Sequence, residues 1–300
     1  MPIGYLGLVG AAVIWGTNHV VTRAVSNDVP LVALTFWRWA IAVLFMVPIA
    51  WPWLRRDAAL LWAHRHAIAL AGLNGMGVFG IAISAGPFFT TAANVSLISS
   101  TTPIWVIALG ALTGIERVTR RQGVGILLAF LGTAHIVLAG RWGALAEIRP
   151  ALGDLISVAA AMLWAVFSLQ MRRLPRGLHP LSLTVCAAVA GLGLLGLVYL
   201  AWGLGGHPWL RPATPTMSDA SAFALVAYIA LGPTFLGNVF FTIGVQRIGA
   251  AVAGAILYLT PVVSTVLAIT LLGERLQLFH VVGIAGIALG LGLTTMRRPR

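Results

Sequence analysis

Ser99-Ser100-Thr101-Thr102-Pro103-Ile104-Trp105 and Leu257-Tyr258-Leu259-Thr260-Pro261-Val262-Val263 are one pattern written twice in an apolar chain. Each copy is preceded by paired alanines, Ala92-Ala93 and Ala250-Ala251, and followed by Glu-Arg, Glu116-Arg117 and Glu274-Arg275. Gly125 and Gly132 then match Gly283 and Gly290 at the same offset. Proline inside an apolar helix frees a carbonyl and opens the backbone. Two such interruptions at matched places in two repeats point to a solute site between the repeats.

Composition sets the solvent. Of 300 residues, 59% are hydrophobic and only 9% charged, with a mean hydropathy of +0.96; a soluble domain carries about 25% charged residues. In lipid every backbone polar group must be satisfied internally, so only helices or a closed barrel can span. The apolar runs are near full helix-spanning length rather than short alternating segments, which selects helices. The expected fold is all-α and integral to the membrane, with ten spans near 3–24, 31–53, 66–86, 90–112, 122–140, 152–172, 180–203, 221–246, 249–271 and 280–296. The first run continues to spanning length without a basic leader, so it reads as a helix and not as a cleaved signal.

Placing loops alternately on two sides gathers most arginines, among them Arg55, Arg56, Arg65, Arg120, Arg121, Arg172 and Arg173, on the side of the chain termini. Arg23, Arg141, Arg149, Arg211 and Arg275 fall on the other. Because short cytoplasmic loops retain basic residues, both termini are expected in the cytoplasm of an inner-membrane protein. The net charge of +12 is therefore spread over span ends and does not form a nucleic-acid surface. A polar segment, 141–150, divides the chain into 1–140 and 151–300. Five spans in each half force the second to enter from the opposite side, so the repeats are inverted. The leading helices agree, since Ala11-Ala12…Trp15 matches Ala160-Ala161…Trp164.

These residues resemble a family. Two five-helix repeats, the opening Ala11-Ala12-Val13-Ile14-Trp15-Gly16-Thr17-Asn18, Arg38 early in the second helix, and Thr-Pro in the fourth and ninth helices look like the drug/metabolite transporter superfamily, EamA type. Length and the Trp15–His19 segment are most similar to amino-acid exporters of the YddG kind. The resemblance covers essentially the whole chain and implies alternating-access export of aromatic and other neutral amino acids. Export of another metabolite or drug is the alternative within the superfamily.

Read from the residues, Trp15, Asn18, His19 and Thr22 share one face of the first helix, and a polar face in lipid looks at protein or at a water-filled cavity. Plain interhelical hydrogen bonding, worth about 0.6 kcal/mol each, is the competing explanation. Trp164 holds the matching place in the sixth helix, so the two indoles are expected to wall an apolar side chain. Trp105 also lies well inside its span, whereas Trp37, Trp39, Trp51, Trp53, Trp142 and Trp202 lie near span ends, as an interface belt does.

Ser99 and Thr102 at the first break, and Tyr258 and Thr260 at the second, offer polar groups for a zwitterion without a buried formal charge. The alternative is that they satisfy local helix carbonyls. Pro103 and Pro261 are the expected hinges. Asn74 and Phe79 in the third helix, with Asn238 and Phe241 in the eighth, complete the predicted cavity. Arg38 could meet a solute carboxylate, but snorkelling to the interface is the cheaper reading.

Asp28, Asp57, Glu116, Glu147, Asp154, Asp219 and Glu274 all fall in loops or near span ends. No carboxylate stands at midspan to exchange protons for lipophilic cations, and neither ligand spacing for a metal nor a catalytic triad is present. A membrane enzyme acting on lipid is the rival from another class. The expected partners are a small-molecule solute and membrane lipid, with a monomer sufficient, no nucleic acid and no cofactor.

Overall fold

The computed structural model describes residues 2–25, 28–90, 92–116, 118–147, 151–175, 177–207, 216–272 and 275–295. Among these the regular structure is helical, without strands. In chain order the first half comprises α1 (Pro2–Val25), α2 (Leu31–Ala63), α3 (Arg65–Gly72), α4 (Phe79–Phe89), α5 (Ala92–Ser99), α6 (Thr102–Leu112) and α7 (Arg120–Val137). The second comprises α8 (Leu152–Arg173), α9 (Pro180–Leu204), α10 (Asp219–Ile229), α11 (Gly237–Ile248), α12 (Ala250–Ile256), α13 (Leu259–Leu272) and α14 (Leu278–Thr295). A π-helical stretch, Leu73–Val78, joins α3 to α4, and another, Ala230–Leu236, joins α10 to α11. Eight helical segments are long and apolar enough to cross a membrane, and the apolar part of α1 is shorter, Ile3–Asn18.

Reciprocal glycine packing relates the halves. A Cβ on Gly125 would lie 2.6 Å from the Gly290 carbonyl, and one on Gly132 would lie 2.6 Å from that of Gly283. In the other direction, Gly283 faces the Gly132 carbonyl at 2.7 Å and Gly290 that of Gly125 at 2.3 Å. Helices α7 and α14 therefore run antiparallel with backbones in direct apposition, as small residues permit in membranes. Since Gly125 corresponds to Gly283 and Gly132 to Gly290, each glycine meets the counterpart of the other. That pairing is what a two-fold axis perpendicular to the helices produces, and so what inversion requires.

The other interruptions obey the same relation. Both π-helical stretches occupy corresponding places, and both Thr-Pro sites follow a break between short helices. Glycines set the approach in the third rod: a Cβ on Gly72 would collide with the Ala187 carbonyl at 2.0 Å, and one on Gly75 with the Phe167 ring at 2.2 Å. Gly249, at φ +100°, takes a backbone conformation that disfavours a side chain and turns α11 directly into α12.

One boundary differs from the sequence expectation. The second span was expected to end near residue 53, yet α2 runs to Ala63 through Pro48 and Pro52. Neither proline ends the helix, because lipid offers no alternative partner and the remaining helical bonds hold the segment. Asp57 thus lies on a helix and not in a loop. It is buried, accepting bonds from the His179 amide at 2.8 Å and the Ser182 hydroxyl at 2.6 Å.

Both described chain ends lie on one face of the bundle. Gly4 abuts Arg247 and Ile248, and Gly125 abuts Thr294. This is called the terminal face below, and the opposite one the distal face.

Candidate functional site

Mid-bundle, α1, α4, α8 and α11 meet through one aromatic cluster. Trp15 and Trp164 touch edge to face with ring centroids 5.6 Å apart. Phe241 lies 5.6 Å from Trp15 and 5.1 Å from Trp164. Phe79 stands 4.7 Å from Trp164 on its other side, and Phe167 5.2 Å. Tilted and edge contacts suit the ring quadrupoles. The two indoles do not stand apart as opposing walls. They form one continuous aromatic plug.

Local structure positions that plug. Trp15 Nε1 donates to the Pro233 carbonyl at 2.8 Å. Gly237 makes room for the ring, because a Cβ there would lie 2.4 Å from Trp15 Nε1. Pro233 lies in the π-helical stretch, and its carbonyl accepts this bond from a different rod. Beside it, the Arg38 Nε donates to Thr234 Oγ1 at 2.8 Å. The Thr17 and Tyr228 hydroxyls form a hydrogen bond on the distal side of Pro233.

The predicted polar residues divide. Asn74 donates to the Leu163 carbonyl at 2.9 Å and to Gln170 at 3.3 Å, which ties the third rod to α8. Asn238, which is buried, donates to the Thr234 carbonyl at 2.9 Å within its own rod. Asn18 accepts only a long bond from Thr22, at 3.4 Å. The His19 side chain lies outside the described residues.

At the breaks, tight turns replace the α-helical ladder: Thr101 N donates to Ile98 O at 2.9 Å and Tyr258 N to Ala255 O at 3.0 Å. Tyr258 then donates its hydroxyl to the Ser100 carbonyl at 2.7 Å, so the two breaks touch. Thr102 bonds the Ser99 carbonyl at 2.7 Å and Trp105 donates to the Thr101 hydroxyl at 3.1 Å. The buried Ser99 hydroxyl has no partner. Thr260 is half-buried, with its carbonyl against Gly16. Pro103 sits in the first turn of α6 and Pro261 in that of α13. A missing N–H costs nothing in a first turn, so each proline starts a helix where the sequence reading expected a kink in a continuous one.

The terminal half of the bundle is sealed. Glu116 Oε1 accepts the Ala250 amide at 2.7 Å and pairs with Arg172 Nε at 3.5 Å. Arg172 also donates to the Gln246 and Val245 carbonyls at 3.0 and 3.4 Å. One carboxylate and one guanidinium thereby join the loop after α6 to the ends of α8 and α11 and the start of α12. Helix α6 packs on α12, and α8 packs on α11 and α12. The corresponding distal pairs, α5 with α13 and α1 with α4, make no comparable packing among the described residues. Glu274, the counterpart of Glu116 in the second repeat, lies outside the described residues, and Arg275 beside it is exposed.

Sequence reading missed the Pro233 carbonyl, the Thr17–Tyr228 pair and the partners of Glu116. Gly232-Pro233-Thr234 in midspan was the available signal for the first. No sequence signal announced the others, because their partners are remote in the chain.

A family model described as the EamA-like transporter family matches residues 2–138 and again 151–296. The chain belongs to the EamA-like transporter family. EamA-like relatives include the probable terminal-alkyne amino-acid exporter of Streptantibioticus cattleyicolor, 30% identical over 74% of this chain and 71% of its own. The probable amino-acid metabolite efflux pump of Salmonella typhimurium is 27% identical over 96% and 93%. The aromatic amino acid exporter YddG of Ancylobacter novellus is 28% identical over 58% and 57%. A solved crystal structure at 20% identity shares the fold, with a TM-score of 0.79 over 97% of this chain and 96% of that one. This EamA-like chain is a multi-pass membrane transporter of the drug/metabolite superfamily.

Proposed function

We propose that the protein exports aromatic and other neutral amino acids across the inner membrane by alternating access, with both termini cytoplasmic. The observation that carries this reading is the unequal packing of two corresponding halves around an aromatic plug. The terminal side is sealed through Glu116 and Arg172, while the distal counterparts pack less closely among the described residues. On this reading the terminal face is cytoplasmic and the structure is an outward-open state, with Trp15, Trp164, Phe79 and Phe241 as the floor of the solute path. Asn18, Ser99, Thr102, Trp105, Tyr258 and Thr260 surround it, Asn74 and Asn238 hold its helices, and His19 is a further proposed solute contact on sequence grounds. One chain carries the whole site. Breaks at Ser100 and Tyr258, each followed by its proline, let the outer and inner halves of two rods move separately while the α7–α14 pair stays fixed.

Exporter names among the relatives support the direction and the solute class. Protein in liposomes is expected to carry labelled tryptophan, threonine or methionine saturably and unchanged. It is expected to do so without an imposed pH gradient, since Asp28, Asp57, Glu116 and Asp154 are each already bonded to protein. Absence of flux together with a chemically altered solute or lipid would replace the carrier by a membrane enzyme.

A further inference from the structure

Arg38 is a half-buried cation that forms no ion pair among the described residues. On α2 it lies at the flank of the buried stripe Thr35, Trp39, Ala42 and Met46, one heptad before the exposed Phe45. Its bond to the fully buried Thr234 turns the guanidinium into the bundle.

Its direction contradicts snorkelling. Arg38 lies about two turns, roughly 10 Å, from the distal start of α2. Thr234, its partner, lies roughly 22 Å along its rod from the distal start at Asp219. The side chain therefore reaches inward, away from the nearer interface.

Of five guanidinium N–H donors, Nε alone is engaged, by Thr234 Oγ1. Among the described residues the ion pairs are Arg56–Asp57 and Arg172–Glu116, neither involving Arg38. An ionised group at this depth is costly unless something pairs with it, and such residues mark solute pathways.

The architecture does not require an arginine there. Both second helices of the repeats open on Pro-Leu, Pro30-Leu31 and Pro180-Leu181, and on that register Arg38 corresponds to Ala188, which is fully buried. The second half packs its corresponding rods without any cation.

Arg38 and the aromatic floor are tied to the same short stretch of one rod. Consecutive residues Pro233 and Thr234 hold Trp15 and Arg38 respectively. A planar guanidinium fork beside an indole matches a carboxylate joined to an apolar side chain.

We infer that Arg38 binds the solute carboxylate, and that the site reads this carboxylate together with the apolar side chain but does not read the ammonium group. The second part rests on four carboxylates: Asp28, Asp57, Glu116 and Asp154 are each engaged elsewhere by protein donors and are not offered to an ammonium. The inference rests on the proposed transport reading and narrows its solute class to monocarboxylates with apolar side chains, amino acids among them.

The test is competition for labelled tryptophan uptake into proteoliposomes by tryptophan, indole-3-propionate, tryptophanamide and tryptamine, with direct flux of labelled indole-3-propionate run alongside. Wild-type protein is expected to be inhibited by the first two and not by the last two, which needs no mutant to fold. Arg38→Gln is expected to weaken both acids about ten- to a hundred-fold, the range for a charge-assisted bond lost. Arg38→Lys, which keeps the charge but loses the fork, is expected to fall between. Equal competition by the amide and the acid, or unchanged acid affinity in folded Arg38→Gln, overturns the inference while leaving amino-acid transport standing. Saturable, Arg38-dependent flux of indole-3-propionate with no flux of tryptophan has the opposite meaning: the carboxylate site stands and the amino-acid reading fails.

Discussion

The Tyr258 hydroxyl donates to the carbonyl of Ser100 at 2.7 Å, and these two residues hold corresponding places in the two repeats. A contact between counterparts lies on the symmetry axis, so this bond joins the two helix breaks where the halves turn about one another. Removing the hydroxyl leaves a buried carbonyl without its partner, at a cost of about 1–3 kcal/mol. Tyr258→Phe is expected to melt earlier in detergent and to lower maximal flux more than it changes the solute concentration for half-saturation. A variant with wild-type melting and flux would remove Tyr258 from the pivot.

The α7–α14 seam tolerates no side chain. Gly290→Ala sets a Cβ against the Gly125 carbonyl, and Gly132→Ala sets one against that of Gly283. Both are expected to destabilise by about 1–3 kcal/mol, the cost of overpacking, and to lower the detergent melting temperature. Gly292→Ala, whose Cβ would meet open space, is the control and is expected to be neutral.

Glu116 seals the terminal face through charge as well as geometry. Glu116→Gln keeps an acceptor for the Ala250 amide but leaves Arg172 without its counter-ion. The sealed population is expected to fall, by about tenfold for a partly buried pair worth roughly 1.4 kcal/mol. Cysteine introduced at Ala253, with Cys186 replaced, reports this through thiol labelling from the terminal face, which is expected to accelerate. Unchanged labelling would mean that helix packing alone holds the seal.

His179 caps α9 as a neutral ring. It stacks on Trp53 at 4.5 Å and accepts the Leu181 amide at 3.3 Å. Burial, and then the Arg56 charge, hold its pKa below the ordinary 6.5, with Asp57 opposing. The unfolded chain therefore takes up the proton first as pH falls, so this contribution to stability is complete above the unfolded value and declines through it toward the lower folded one. Melting temperature is expected to drop as pH falls from neutral through the ordinary 6.5. His179→Asn, which caps without titrating, is expected to flatten that part of the profile.

Much of this was legible in the chain because the constraints were local or repeated. Thr102-Pro103 and Thr260-Pro261 marked both breaks, Gly125/Gly132 and Gly283/Gly290 marked the scaffold pair, and Trp15 and Trp164 marked the core. Asn74 read as a residue of the third helix completing the cavity, yet sequence does not say which partners answer its amide. Leu163 and Gln170 do.

The amino-acid sequence by itself determined a helical bundle in lipid, its two repeats and their opposed directions, since hydropathy, span parity and duplicated motifs act along the chain. Tertiary structure alone decided that the two indoles close into one plug, that Glu116 reaches Ala250 and Arg172, and that Arg38 turns inward to Thr234. Each of these depends on which surfaces of remote helices meet, and in a membrane that choice rests on close packing and hydrogen bonds rather than on apolarity, which every lipid-facing surface shares.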